Sequence, residues 1–133
     1  MDIKEEIISR YFNAWLTKDH SELGNIFYPD IIYSECHGPE YRGIGQIKKW
    51  FSEWNRRGSV LEWRIKQFVH QDQITVVEWY FKCQFEGQID GFDGISLITF
   101  NNNNQITNLK EFQSKAEHTH PYTEFEPDAN PGA

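Results

Sequence analysis

Residues 77–85, VEWYFKCQF, put Val77, Trp79, Phe81, Cys83 and Phe85 on one side of an extended chain and Glu78, Tyr80, Lys82 and Gln84 on the other. A period of two residues marks a half-buried β-strand. The same alternation precedes it, where Leu61, Trp63, Ile65 and Val69 interleave with Glu62, Arg64, Lys66 and His70. Beyond it, a turn-rich stretch over 87–94 leads into a strand over 95–100. Asparagines 101–104 form a turn, and 106–114 gives a last strand. From Val60 onward the chain reads as an antiparallel meander.

Upstream the period is helical. Ile3, Ile7, Tyr11 and Trp15 recur every fourth residue, Ile8 and Phe12 widen the stripe, and Lys4, Glu5, Glu6 and Asn13 take the opposite face. Asp19 followed by Glu22 has the form of a capping box, opening a short helix through Leu23 and Ile26 that ends before Pro29. A short β-prone run covers 31–35, and 37–45, with Gly38, Pro39, Gly43 and Gly45, reads as a loop. Ile44, Ile47, Phe51 and Trp54, with Trp50 beside them, make a third helix that closes on Arg56, Arg57 and Gly58. Helices first and sheet second predict an α+β domain over residues 1–115. Residues 116–133, rich in proline and in small or acidic residues, read as an irregular tail.

Composition narrows the function. Thirteen basic against twenty acidic residues give a net charge of −7, which repels phosphate backbones and anionic lipid, so neither nucleic acid nor membrane is an expected partner. No apolar run reaches the roughly 20 residues of a membrane span. The opening MDIKEEIIS is acidic without an apolar core, so a cytoplasmic location is expected. Cys36 and Cys83 stand far apart and form no CxxC pair, which fits packed thiols better than a disulfide framework. Of the 21 aromatic residues five are tryptophan; each alone reads as core, but five bulky rings spread over helix and sheet tilt the reading toward a cavity lining. Trp15, Trp50, Trp54, Trp63 and Trp79, with Phe81 and Phe112, are the candidate lining of a pocket for a small apolar or aromatic molecule.

The segments RYFNAWLTKD, IFYPDIIYSECHG, GIGQIKKWF and FDGISLITFNNNNQITNLKEF follow one another in this order. Together they resemble the SnoaL-like branch of the nuclear transport factor 2 (NTF2-like) superfamily over about residues 3–115. The resemblance implies an α+β cone: three N-terminal helices on a strongly curved, mostly antiparallel sheet, with an apolar cavity open at one end. It also implies a homodimer formed through the outer face of the sheet, and no cofactor.

Locally, the chain is similar to ketosteroid isomerase-like members. That likeness makes Glu35 the general base and Tyr11 the hydrogen-bond donor to a developing oxyanion; alternation along the segment puts His37 on the face of Glu35, as an auxiliary imidazole. A carboxyl among Trp and Phe has its pKa raised toward the operating pH of such a base. The bland alternative pairs Glu35 with Arg42 or uses it to cap the loop. Ser96 stands where those isomerases carry a second, acidic donor, which argues against steroid isomerisation. Asp90, Asp93 or Glu111 could supply a second carboxyl if a bulge shifts the alternation; otherwise the aspartates are turn residues and Glu111 faces solvent.

Two other chemistries fit less well. Epoxide hydrolases of this fold need an Asp, Arg, Asp set, and Arg64, read as the only arginine on a strand, points outward. No metal site is expected, because consecutive residues of an extended Glu35–Cys36–His37 segment point apart and the His118/His120 pair lacks a rigid scaffold. The expected function is a pocket protein, either a cofactor-free isomerase, cyclase or dehydratase acting on an apolar carbonyl compound, or a non-catalytic ligand-binding or stress-associated module.

Overall fold

The computed structural model describes residues 2–122. Helix α1 (Ile3–Thr17) starts where the Asp2 side chain accepts from the Lys4 N–H at 2.7 Å, and it ends on Lys18 in the left-handed region. Its buried stripe is Ile7, Ile8, Tyr11, Phe12, Ala14 and Trp15, while Ile3 stays exposed at the first turn. Helix α2 (Leu23–Ile26) is a single turn without a side-chain cap. The expected capping box does not form, because Asp19 instead accepts from the Ser21 N–H at 2.9 Å in a local turn.

Strand β1 (Phe27–Ser34) begins four residues earlier than the β-prone run and carries Pro29 within it. Proline has no N–H for the ladder, and the register against the last strand slips between Phe27 and Ile32. The glycine-rich segment that follows is not all loop. It contains β2 (Glu40–Arg42), antiparallel to β1, before helix α3 (Ile44–Arg57).

Strands β3 (Gly58–Gln71), β4 (Ile74–Phe85), β5 (Gln88–Phe100) and β6 (Ile106–Ser114) form the meander. The single mixed sheet runs β2-β1-β6-β5-β4-β3, with β1 and β6 parallel and the other neighbours antiparallel.

Two departures from simple alternation shape the interior. In β3, irregularities between Val60 and Glu62 and between Ile65 and Gln67 turn Leu61 and Val69 outward; Trp63 faces the core as expected, and Val60 and Phe68 join it there. In β5, the stretch expected to be a turn is strand. Its glycines are there for close approach: a Cβ on Gly91 would come within 2.5 Å of the Tyr80 hydroxyl, and one on Gly94 within 2.5 Å of the Phe112 carbonyl oxygen. Gly94 lies opposite Trp79 and lets its indole lie across the strand. The true turn is Glu86–Gly87, both at positive φ, the two-residue hairpin geometry that matches strand twist.

The core lies between α1, α3 and the inner sheet face. Residues 116–122 are neither helix nor strand; the rest of the expected tail lies outside the described residues. Among the described residues no helix is long and apolar enough to cross a membrane.

Candidate active site

Between α1, α3 and the concave sheet lies a cavity of about 270 Å³. Its wall takes Trp15 from α1, Trp50 and Trp54 from α3, Trp63 from β3 and Trp79 from β4, so every tryptophan of the chain borders one space. Phe81 and Phe85 of β4 and Phe92 of β5 continue the surface. The rings brace each other edge to face: Trp15 and Trp54 at 5.4 Å, Trp63 and Trp79 at 5.7 Å, Tyr33 and Trp50 at 5.1 Å between centroids.

Polar groups also line this wall. Glu111, Tyr33, Glu35, Cys36, His37 and Asp90 all border the cavity. Glu111 shares the inward face of β6 with Leu109, so simple alternation from Leu109, rather than a bulge, brings it inside. The Tyr11 hydroxyl donates to Tyr33 at 2.7 Å, and the Tyr33 hydroxyl donates to Glu111 Oε2 at 2.6 Å. Both phenols are buried, so the chain of hydroxyls runs from the core to the carboxyl and ends there. Desolvation pushes the Glu111 carboxyl up to about 7, aided by the nearby negative charge of Glu35, while the Tyr33 hydroxyl and the Cys36 backbone N–H pull the other way. The Glu111 side chain opens partly to the lumen, but protein surrounds its carboxyl.

Glu35 has another partner than the one expected from sequence. Its Oε2 accepts from the Tyr41 hydroxyl at 2.9 Å, whereas Arg42 pairs outside with Glu40 at 2.9 Å. Burial raises the Glu35 carboxyl above the ordinary range, and Tyr41 and His37 moderate the rise. Residues 35–38 form a turn, with the Gly38 N–H donating to the Glu35 carbonyl at 3.3 Å. Because this segment is not extended, Glu35, Cys36 and His37 all reach the cavity, against the expectation that neighbours would diverge. His37 is held edge-on to Phe92 at 5.6 Å. Desolvation holds the Cys36 thiol up at about 12, so it is neutral and unreactive.

Three expected site residues lie elsewhere. Tyr11 does not touch the cavity: it stands behind Tyr33, which takes its hydrogen bond, and it cannot reach an oxyanion there. Ser96 is buried on β5, where it accepts the Trp79 indole N–H at 3.0 Å. Phe112 alternates with Glu111 and therefore stands exposed on the outer sheet face, under the Lys110 ammonium. Sequence reasoning missed Tyr33 and Tyr41; the YxE spacing of Tyr33, near the end of β1, and Glu35, just beyond it, was the available signal.

Trp15 and Trp63 border the cavity, but their indole N–H groups are buried and have no hydrogen-bond partner among the described residues. Trp15 lies close enough to the Tyr11 phenol to oppose the rise in its pKa without making a hydrogen bond, which leaves Trp63 the cleaner free donor. Among the described residues no lysine or arginine lines the cavity. Arg64 and Arg42, both on strands, are exposed and paired with Glu62 and Glu40. Among the described residues the one cluster with metal-ligand spacing is Asp2, Glu5 and His70, at the surface and away from this wall.

A family profile described as a SnoaL-like domain matches residues 8–109. The chain belongs to the SnoaL-like family. Solved structures with the same fold include a hypothetical protein of ketosteroid isomerase-like fold from Catenulispora acidiphila, in complex with trimethylamine. It is 18% identical with a TM-score of 0.72, over 84% of this chain and 86% of that one. A Shewanella putrefaciens protein described as a putative SnoaL-like polyketide cyclase is similar at 13% identity and a TM-score of 0.73, over 85% and 90% of the two chains. An epoxide hydrolase from M. tuberculosis is similar at 13% identity and a TM-score of 0.74, over 84% and 82%. A search of the curated proteins found no match. At these identities the likeness carries the fold alone.

Proposed function

We propose that this SnoaL-like protein catalyses cofactor-free proton transfer on a small, largely apolar carbonyl compound, with Glu111 as the acid-base group. The observation that carries this reading is the Glu111 carboxyl, set in an aromatic cavity, bonded to Tyr33 and titrating near 7. A base whose pKa matches the working pH is ionised often enough to take a proton and basic enough to hold it.

In the step envisaged, the Glu111 carboxylate removes a proton from the carbon beside the carbonyl. The C–H electron pair becomes the C=C bond of an enolate, and the carbonyl oxygen takes the charge. Glu111 then returns the proton to the same carbon or to a conjugated one, so nothing is consumed. Glu35, which borders the same cavity and accepts from the Tyr41 hydroxyl, serves as the second carboxyl. This ranking reverses the sequence expectation, in which Glu35 was the base and Tyr11 the oxyanion donor.

Incubating the protein in D₂O with a panel of small cyclic and aryl ketones, and following loss of the α-proton signals by NMR, tests the reading. Exchange should occur and should fall by about 100-fold or more in Glu111→Gln. Undiminished exchange in that variant refutes the role of Glu111, and no exchange on any ketone favours a binding module.

A further inference from the structure

Apart from the His37 imidazole beside Glu35, the charge inventory of the cavity is one-sided. Glu35, Glu111 and Asp90 all border it, and no cationic lysine or arginine does so among the described residues. The hydrogen-bond partners of these three carboxyls are neutral: Tyr41 for Glu35, Tyr33 for Glu111, and the Gly91 N–H at 2.9 Å for Asp90. Where nearby acids do have cations, the pairs lie outside, as with Lys66 and Asp93 at 2.9 Å. Asp90 is exposed, but the Glu111 carboxyl is buried and that of Glu35 partly so; a buried carboxylate with little countercharge is costly, and the cost falls when a cation enters.

The rest of the wall points the same way. Aromatic rings present negative π faces, and a cation within about 6 Å of a ring centroid is attracted to them, most strongly by tryptophan. Five tryptophans on one cavity make that surface unusually suited to a positively charged carbon-rich group. The net charge of −7 adds long-range attraction for cations and repulsion for anions. Ammonium ions whose charge is spread over methyl groups lose little hydration on entering such a space, whereas a metal ion would lose much. The volume of about 270 Å³ suits one ring or a short branched skeleton with its amine.

We propose that the natural ligand of this cavity is an organic ammonium compound, a compact apolar skeleton bearing a protonated or methylated amine. This deepens the reading of the cavity as a substrate site, and it adds a chemical reason for the pairing. An ammonium group beside a carbonyl withdraws electrons and makes the intervening C–H a stronger acid for Glu111 to deprotonate.

The test is a matched pair of probes. Benzyltrimethylammonium and neopentylbenzene have the same shape and differ in charge, and the permanent cation does not titrate. Equilibrium dialysis against the wild-type protein should show the cation bound at least about tenfold more tightly. In the Glu35→Gln/Glu111→Gln double variant, checked for folding by circular dichroism, that preference should shrink to about threefold or less. Equal or tighter binding of neopentylbenzene by the wild type overturns the proposal, as does failure to bind the cation at all. A preference that survives in the folded double variant also overturns it, because the carboxyls would not be the cause. Ketone exchange without a cation preference would sink this inference and leave proton transfer standing; cation preference without exchange on any ketone would do the reverse.

Discussion

Replacing Glu111 with Gln keeps the shape of the side chain and removes its charge, so the difference in stability between the two proteins isolates one titration. The folded-state pKa of about 7 lies above the ordinary value of 4.5 that the unfolded chain restores. Between those two values the folded protein holds a proton that the unfolded one has lost, so stability falls as the pH rises. The contribution is fully present below 4.5, is lost through about 7, and is constant above. At about 1.4 kcal/mol per pH unit the full change is about 3 kcal/mol, and about 2 kcal/mol if water in the lumen screens the charge.

Urea unfolding of both proteins at a series of pH values from 4 to 8.5 measures it. Glu35, also raised by burial, titrates in both and largely cancels. The groups that face Glu111 are the Tyr33 hydroxyl, the Cys36 N–H, the Glu35 carboxyl and, behind Tyr33, Tyr11. Glu111→Gln should therefore gain on the wild type by about 2 to 3 kcal/mol between the acid and alkaline ends. Stability curves that run parallel across this range would refute the claim that Glu111 is a desolvated carboxyl, and the proposed acid-base role with it.

Two further outcomes follow from the same geometry. Tyr33→Phe removes the hydroxyl that lowers the Glu111 pKa and leaves the buried Tyr11 hydroxyl without an acceptor. It should cost about 1–3 kcal/mol and move the Glu111 titration upward, read from the carboxyl carbon shift by NMR; an unmoved titration would break the link. Gly94→Ala would drive a Cβ into Trp79 and the Phe112 carbonyl. It should destabilise by about 2–4 kcal/mol in thermal or urea unfolding, whereas alanine at Gly45, where a Cβ meets nothing within 4 Å, should be close to neutral.

The residues that announced the fold were those whose environment is periodic. The helical stripe from Ile7 to Trp15 and the alternation from Val77 to Phe85 repeat the same exposure turn after turn, so pattern alone placed them. Errors arose where backbone irregularity or a neighbour breaks the repeat. The irregularities in β3 exchanged Leu61 for Val60, and the glycines of β5 imitate a turn while serving close packing against Trp79 and Tyr80. Site residues depended on pairings across the sheet. Nothing local to Tyr33 shows that Glu111, 78 residues away, will accept its hydroxyl, or that Tyr11 will be spent on the same group. Glu35 was visible because an acid after IIYS and before a glycine-rich loop is odd in itself, whereas Glu111 in NLKEF looks like any surface acid.

That all five tryptophans border one cavity also gives the molecule an optical character. Its tryptophan emission comes from the walls of that space alone. Water entering the lumen should shift that light to the red, and a guest displacing the water should shift it back. Energy passed between neighbouring indoles should let a single occupant dim them together. The protein is thus an unlabelled optical sensor for whatever it holds, and compound libraries can be screened against it before any reaction is known.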